Sequence, residues 1–328
     1  MSGRVAAGID VGGTKALGVL VDEQSSSLAT LEVPTPLEGE PLLDAIADLV
    51  PELVRLAGCG VADVSGVGTG VPGLVDPDGV LRFAPNLPAV VGLGVAAGLR
   101  HRLAAFGLPQ SAQVVVDNDA NCAGAAELAF GAARGVSDAV IITLGTGIGG
   151  AIVAGGTLVF GANHFAGEIG HMIIDIGGEP CACGKRGCWE RYASGSALGR
   201  MARVAAAEGR APRILAAAGG VVDSIRGEHV TDEAAAGNPE AGELFGELAF
   251  YLAQGLANIA GVLDPELFVL GGGMIRAGEA LLAPANRCFA DLLEGAEYRP
   301  VPLIVGAHFG FQAGAIGAAA LALGAARA

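Results

Sequence analysis

The sequence predicts a two-domain α/β protein, and three observations carry that prediction. Apolar strands alternate with helical patterns along the chain, which is the signature of an α/β fold. A strand, a turn of glycine and threonine, and a returning strand occur twice, at residues 5–21 and 139–153. The 328 residues suffice for two domains of ordinary size, and 52% of them are apolar, enough to fill their cores.

The elements follow in order. Val5 to Asp10 and Ala16 to Val21 form a predicted hairpin around Gly12-Gly13-Thr14. Leu28 to Val33 is a third strand. Residues 41–58 form a helix, with Leu42, Leu43, Ile46, Leu49, Leu53 and Leu56 near helical spacing. Val64 to Thr69 is a buried strand running into the rigid turn Gly70-Val71-Pro72-Gly73. A helix is predicted from Val95 to Phe106, then a strand from Val114 to Val116 that ends in Asp117-Asn118-Asp119 at a helix start. The pattern then restarts, with strands at Ala139–Leu144 and Ile148–Val153 around Gly145-Thr146-Gly147. Residues 161–191 read as irregular; helices are predicted over Ala193–Ala207 and Pro239–Leu263. Strands at Leu267–Leu270 and Leu303–Val305 precede a last helix from Gly310 to Ala325. The expected division is a smaller domain over residues 1–120 and a larger one over 121–309. The last helix, about 310–328, is expected to return to the first.

Composition excludes some functions. A net charge of −15 gives no general basic surface for nucleic acid. No run of 18 or more uncharged apolar residues reads as a membrane span, and the N-terminus lacks the pattern of a signal peptide. A cytoplasmic location is expected. Six cysteines in such a chain do not suggest a disulfide framework. The 54 glycines have no collagen-like period and point to many tight turns.

Several of those turns suit an anion. In Asp10-Val11-Gly12-Gly13-Thr14-Lys15 the glycines allow close backbone approach, Thr14 offers a hydroxyl and Lys15 a charge. A carboxylate beside phosphates requires a cation between them, so Asp10 implies Mg²⁺, held through water. Gly145-Thr146-Gly147-Ile148-Gly149-Gly150 offers a second such turn, and Gly271-Gly272-Gly273 closes a third strand. The 145–150 stretch lies between two strands, so it is not a dinucleotide fingerprint.

Asp117-Asn118-Asp119-Ala120-Asn121 places four polar residues in five at a strand end. A helix cap accounts for one of them. Asp119 is the candidate general base for a substrate hydroxyl, and Asn118 the residue that holds that substrate. His171, Cys181, Cys183 and Cys188 offer one imidazole and three thiolates, a set suited to tetrahedral Zn²⁺. Four protein ligands leave no open position, so the ion would be structural. Glu168 and Glu190 bracket this cluster, and carboxylates accept paired hydrogen bonds from vicinal hydroxyls. Cys59, Cys122 and Cys288 are scattered and read as core residues.

Taken together these motifs resemble the ROK family (repressor, open reading frame, kinase), most closely its bacterial glucokinases, over nearly the whole chain. The carriers are Asp10 to Lys15, Gly70 to Gly73, Asn118-Asp119-Ala120-Asn121, Gly145 to Gly150, Glu168-Ile169-Gly170-His171 and Cys181 to Glu190. The cysteine motif is the most specific of these and the glycine turns the least. The resemblance implies the actin-like ATPase fold (ribonuclease H-like), two domains closing on a cleft. It implies Asp119 as catalytic base, with Gly73, Asn86, Asn118, Glu168, His171 and Glu190 toward the sugar, and His171 shared with zinc. Asp10, Gly12, Gly13, Thr14, Lys15, Thr146, Gly147 and Gly272 would serve the nucleotide. ATP with Mg²⁺ is the implied donor, and a homodimer or tetramer the implied assembly. Glucose is the leading substrate; N-acetylmannosamine, N-acetylglucosamine, fructose and mannose are alternatives, as is a sugar sensor without turnover. Only nine residues precede Asp10, which disfavours the DNA-binding branch.

Overall fold

The computed structural model describes residues 4–85 and 87–325. Asn86 lies outside the described residues, as do the ends of the chain. Two compact units emerge: residues 1–137, 151–167 and 311–328 form one, and residues 138–150 and 168–310 the other.

The first half of the chain runs β1 (Val5–Val11), β2 (Lys15–Asp22), β3 (Ser27–Pro34), α1 (Gly39–Ala57), β4 (Val64–Val71), β5 (Leu74–Val75), β6 (Leu81–Phe83), α2 (Val95–Ala105), β7 (Gln113–Asn118) and α3 (Asp119–Ala129). Its main sheet has the order β3-β2-β1-β4-β7. The first three strands pair antiparallel, and β4 and β7 add in parallel. One face of this sheet buries the apolar stripe of α1: Leu42, Leu43, Ile46, Leu49 and Leu53 join Ile9, Leu20 and Val67 in one core.

The second half runs β8 (Ala139–Leu144), β9 (Ile148–Ala154), β10 (Thr157–Leu158), α4 (Glu190–Ala193), α5 (Gly195–Ala207), α6 (Pro212–Ala217), α7 (Gly227–Ala235), α8 (Pro239–Leu263), β11 (Leu267–Gly271), α9 (Glu279–Leu292), β12 (Leu303–Gly306) and α10 (Ala313–Leu323). The second sheet has the order β10-β9-β8-β11-β12, which repeats the first in its own numbering. Again the last two strands run parallel to the central one. This doubled order is that of the actin-like ATPase fold. The core of the second unit gathers Ile142, Leu270, Phe268, Phe289, Phe245 and Trp189.

Small residues fix the place of α10. It belongs to the first unit and lies on β1 and β4. A side chain on Gly8 would overlap the Ala315 carbonyl, and one on Gly68 the Ala318 carbonyl. Helix and sheet backbones therefore touch without intervening side chains, a close approach that glycine alone permits. The helix is itself made of Ala, Gly, Ile and Leu, with Ala313 to Ala322 all buried.

Among the described residues four helices arise where the sequence analysis assigns none: the one-turn α4, and three longer ones. α9 carries Pro284 in its interior, which removes one backbone hydrogen bond and obscures the pattern. α7 buries only Gly227, Val230, Thr231 and Ala234, too few apolar residues for a visible stripe. The six-residue α6 begins at Pro212 and buries only Ile214. Cys122 is a core residue as expected, but Cys59 and Cys288 are only half-buried and lie at the edges of the two cores. Among the described residues no helix is long and apolar enough to cross a membrane.

Candidate functional site

In the first unit the site is built where β1, β4 and β7 end. β1 ends one residue past Asp10, and the tip Gly12-Gly13-Thr14 turns the chain into β2. The Gly12 N–H donates to the Lys15 carbonyl at 2.9 Å, and the Thr35 hydroxyl donates to the Gly12 carbonyl at 2.8 Å. These bonds hold the tip while Gly13 and Thr14 face solvent. Lys15 also faces solvent, and its ammonium lies 2.6 Å from Glu32 on the neighbouring strand.

The adjacent polar cluster divides its labour. Asn118 has extended backbone and is the N-cap of α3: its Oδ1 accepts from the Ala120 N–H at 2.9 Å and the Asn121 N–H at 3.2 Å. Its Nδ2 donates to the Gly73 carbonyl at 3.1 Å, tying the Gly70–Gly73 turn to the helix start. Asp117 is buried and accepts from the Asn118 N–H at 2.7 Å and from Asn121 Nδ2 at 2.9 Å. Asp119 is half-buried in the first turn, with Oδ1 2.9 Å from the Ala120 N–H. Capping is thus Asn118's task, and the two Asp residues flank it.

Electrostatics shows how closely the acids converge. Burial, and then the charge of Asp119, pushes Asp10 up to about 7. The first turn of α10 contributes to that burial, since Gly314 lies against the Asp10 carboxylate. The buried Cys122 thiol is held well above its usual range by burial and by the charges of Asp117, Asp10 and Asp119. Carboxylates crowded in this way favour a proton or a cation among them.

In the second unit Gly145-Thr146-Gly147 joins β8 to β9. The Gly195 N–H, at the start of α5, donates to the Gly145 carbonyl at 2.7 Å. Beside the turn lies a cavity of about 470 Å³. Gly145, Thr146, Gly195, Gly273, Arg226 and Arg276 line it, with Arg203, Glu228 and Met274. Gly272, with φ of 82°, packs on the backbone of Leu144 just before the turn. The arginines are oriented by neighbours: Arg203 Nη1 donates to the Ile225 carbonyl at 2.7 Å, and Arg276 Nη2 lies 2.9 Å from Asp232. Motif reading missed these three arginines and Glu228. The α5 and α7 backbones meet at Gly199 and Gly227, a juxtaposition that carries no local signal.

The cysteine motif folds as a cluster in the same unit. One ligand atom from each of His171, Cys181, Cys183 and Cys188 lies within 4.8 Å of the others. Cys183 Sγ and Cys188 Sγ are 3.6 Å apart, and Cys181 Sγ is 3.7 Å from His171 Nδ1. A tetrahedron with zinc–sulfur legs of about 2.3 Å has edges of about 3.8 Å, so these donors fit a structural zinc ion. Burial raises the Cys181 and Cys188 thiols above their usual range, so a metal must displace their protons. The loop is anchored by the only Trp of the chain: Trp189 is fully buried and its Nε1 donates to the Tyr251 carbonyl at 2.8 Å.

His171 presents its two nitrogens to different neighbours. Nδ1 faces the thiols, and Nε2 lies 3.8 Å from Glu168 Oε2. That separation is an electrostatic contact beyond hydrogen-bond distance. Glu190 Oε1 accepts from the Cys181 thiol at 3.0 Å and lies 3.8 Å from His171 Nδ1. The Glu168 side chain is 42% exposed. Loss of water raises its pKa, opposed by His171 and reinforced by Glu190.

Residues 6–325 match the family described as ROK. Glucokinase from Streptomyces coelicolor is 40% identical over 319 residues, covering 96% of both chains. A ROK family glucokinase from Streptomyces griseus, solved with glucose and AMPPNP, superposes with a TM-score of 0.86 at 40% identity, over 97% of this chain and 98% of that one. A ROK hexokinase from Thermus thermophilus gives 0.76 at 32% identity, with 97% of each chain covered. The chain belongs to the ROK family.

Proposed function

We propose that this protein is an ATP-dependent hexose kinase and that glucose is its substrate. The observation that carries the reading is the division of roles at the start of α3. Asn118 caps the helix, and Asp119 sits beside it in the acidic cluster with Asp10 and Asp117. The likeness to Streptomyces glucokinases, one of them solved with glucose and AMPPNP, names the sugar and the donor.

In this reading Asp119 accepts the proton of a sugar hydroxyl as its oxygen attacks the γ-phosphorus and the bond to ADP breaks. A positioned base contributes roughly 10² to 10⁴ in rate. Mg²⁺ bound with ATP supplies charge neutralisation on the transferring phosphoryl group. Asp10 would be the carboxylate that serves that cation. Backbone groups of Gly12 and Gly13 and the Thr14 hydroxyl serve the phosphates, as do Thr146 and Gly147. Gly272 and the arginine-lined cavity take the nucleoside. Gly73, Asn86, Asn118, Glu168, His171 and Glu190 hold the sugar. His171, Cys181, Cys183 and Cys188 hold one structural zinc. A cytoplasmic dimer or tetramer is the assembly that the family resemblance favours.

The test is ADP release with Mg²⁺ and ATP across glucose, mannose, fructose, N-acetylglucosamine and N-acetylmannosamine. Glucose should give the highest kcat/KM. Sugar binding without ADP release from any of them would contradict the kinase reading. Metal analysis should find one zinc per chain, and an active zinc-free protein would contradict its structural role.

A further inference from the structure

The second glycine turn is wedged between three elements of its own unit. Gly195 approaches it from α5, with its N–H on the Gly145 carbonyl at 2.7 Å. Gly170, in the turn Ile169–His171, approaches so closely that a side chain there would overlap the Ile148 carbonyl. Both contacts are backbone on backbone. The third is a side chain: a Cβ built on Gly147 would lie 2.5 Å from Glu190 Oε2. Glu190 thus fills the volume behind Gly147. Its other oxygen, Oε1, lies 3.0 Å from Cys181 Sγ, in the cysteine cluster. One carboxylate therefore spans the distance from that cluster to the phosphate turn.

We propose that Glu190 is a positioning residue for the nucleotide: its carboxylate is the wedge that fixes the backbone of Gly145–Gly147 in its phosphate-binding shape. This role rests on the kinase reading and adds to the sugar contact assigned to Glu190 above. The two roles depend on different properties. A sugar contact uses the charge and acceptor lone pairs of the carboxylate. A wedge uses its volume, which an amide of the same shape reproduces. A methyl at position 147 would have to displace Oε2, so the two groups share one volume.

The test measures AMPPNP affinity by calorimetry in the absence of sugar, on zinc-loaded protein whose metal content is checked in each variant. Glu190→Ala should weaken AMPPNP binding about ten-fold, equivalent to about 1.4 kcal/mol. Glu190→Gln should bind AMPPNP like the unaltered protein, while both variants lose glucose affinity. Gly147→Ala should also weaken AMPPNP binding, because its methyl competes for the same volume. Combining Gly147→Ala with Glu190→Ala should restore part of that loss, a non-additivity expected of residues in contact. Unchanged AMPPNP affinity in Glu190→Ala, equal losses in the Ala and Gln variants, or strict additivity in the double variant would overturn the proposal. Should Glu190→Ala fail to fold, unchanged affinity in Gly147→Ala would overturn it alone. An unaltered protein that binds no AMPPNP would instead sink the kinase reading itself.

Discussion

The two glycine turns are alike in backbone and opposite in surroundings. Each joins a central strand to an antiparallel neighbour, at Gly12–Thr14 in one unit and Gly145–Gly147 in the other. Behind the first stand carboxylates, Asp10, Asp117 and Asp119, and the first turn of α10. Beside the second stand three arginines and a cavity. The same local motif thus serves different ends, because helices from elsewhere in the chain decide what surrounds it. Crowded acids call for a cation; arginines and open volume call for the body of a nucleotide.

Substitutions can break this contrast, and the first turn should be the more sensitive. Asp10→Ala removes the carboxylate that we propose serves the metal, and turnover at saturating substrate should fall by at least about 10². A fall confined to the KM for ATP would show that Asp10 only binds. The same residue predicts a pH dependence of stability in protein free of Mg²⁺ and nucleotide. Its pKa is raised in the folded state, from 3.8 to about 7. Its contribution is therefore fully present below the unfolded value and is lost as pH rises through about 7. Melting of the free protein should therefore weaken as pH rises from about 4 to about 7. Asp10→Asn should flatten that trend; an identical trend in the variant would assign it to other groups.

At the second turn the effect should be smaller and of a different kind. Arg276 lines the cavity but is already paired with Asp232 at 2.9 Å. Arg276→Ala should raise the KM for ATP by roughly two- to ten-fold and leave kcat near its original value, consistent with lost uniform binding. A drop in kcat alone would place Arg276 at the transferring phosphate instead. The smallest change is expected from Lys15→Ala. Its ammonium is exposed and paired with Glu32, and such surface pairs contribute only about 0–1 kcal/mol. Activity should change by less than about three-fold, whereas a large loss would return Lys15 to the phosphates.

Much of the frame was legible because its signals are local. Both hairpins follow from short apolar runs around glycine, and α8 follows from Asn238, Pro239 and a 25-residue helical stretch. The cysteine–histidine cluster was legible from three thiols in eight residues, although His171 lies ten residues before the first of them. Asp119 as base and Asn118 as substrate contact were read from the sequence, but which polar residue caps the helix was not. Either residue type can cap a helix, and only the extended backbone of Asn118 decides between them. Arg203, Arg226 and Arg276 were invisible for a different reason. Arg203 and Arg226 converge because α5 and α7 approach at Gly199 and Gly227, and Arg276 joins them from the turn after β11 through its pair with Asp232 of α7; both are tertiary events. The wedge at Glu190 shares that origin: its spacing from Cys188 is readable, its reach to Gly147 is not.

The most direct test of the whole account is Asp119→Asn in zinc-loaded protein, with glucose binding and ADP release measured on the same preparation. Glucose should bind with nearly unchanged affinity while ADP release falls by roughly 10² to 10⁴, the loss expected of a missing base. Undiminished ADP release from a folded, glucose-binding variant would contradict the role given to Asp119 and with it the account of the site.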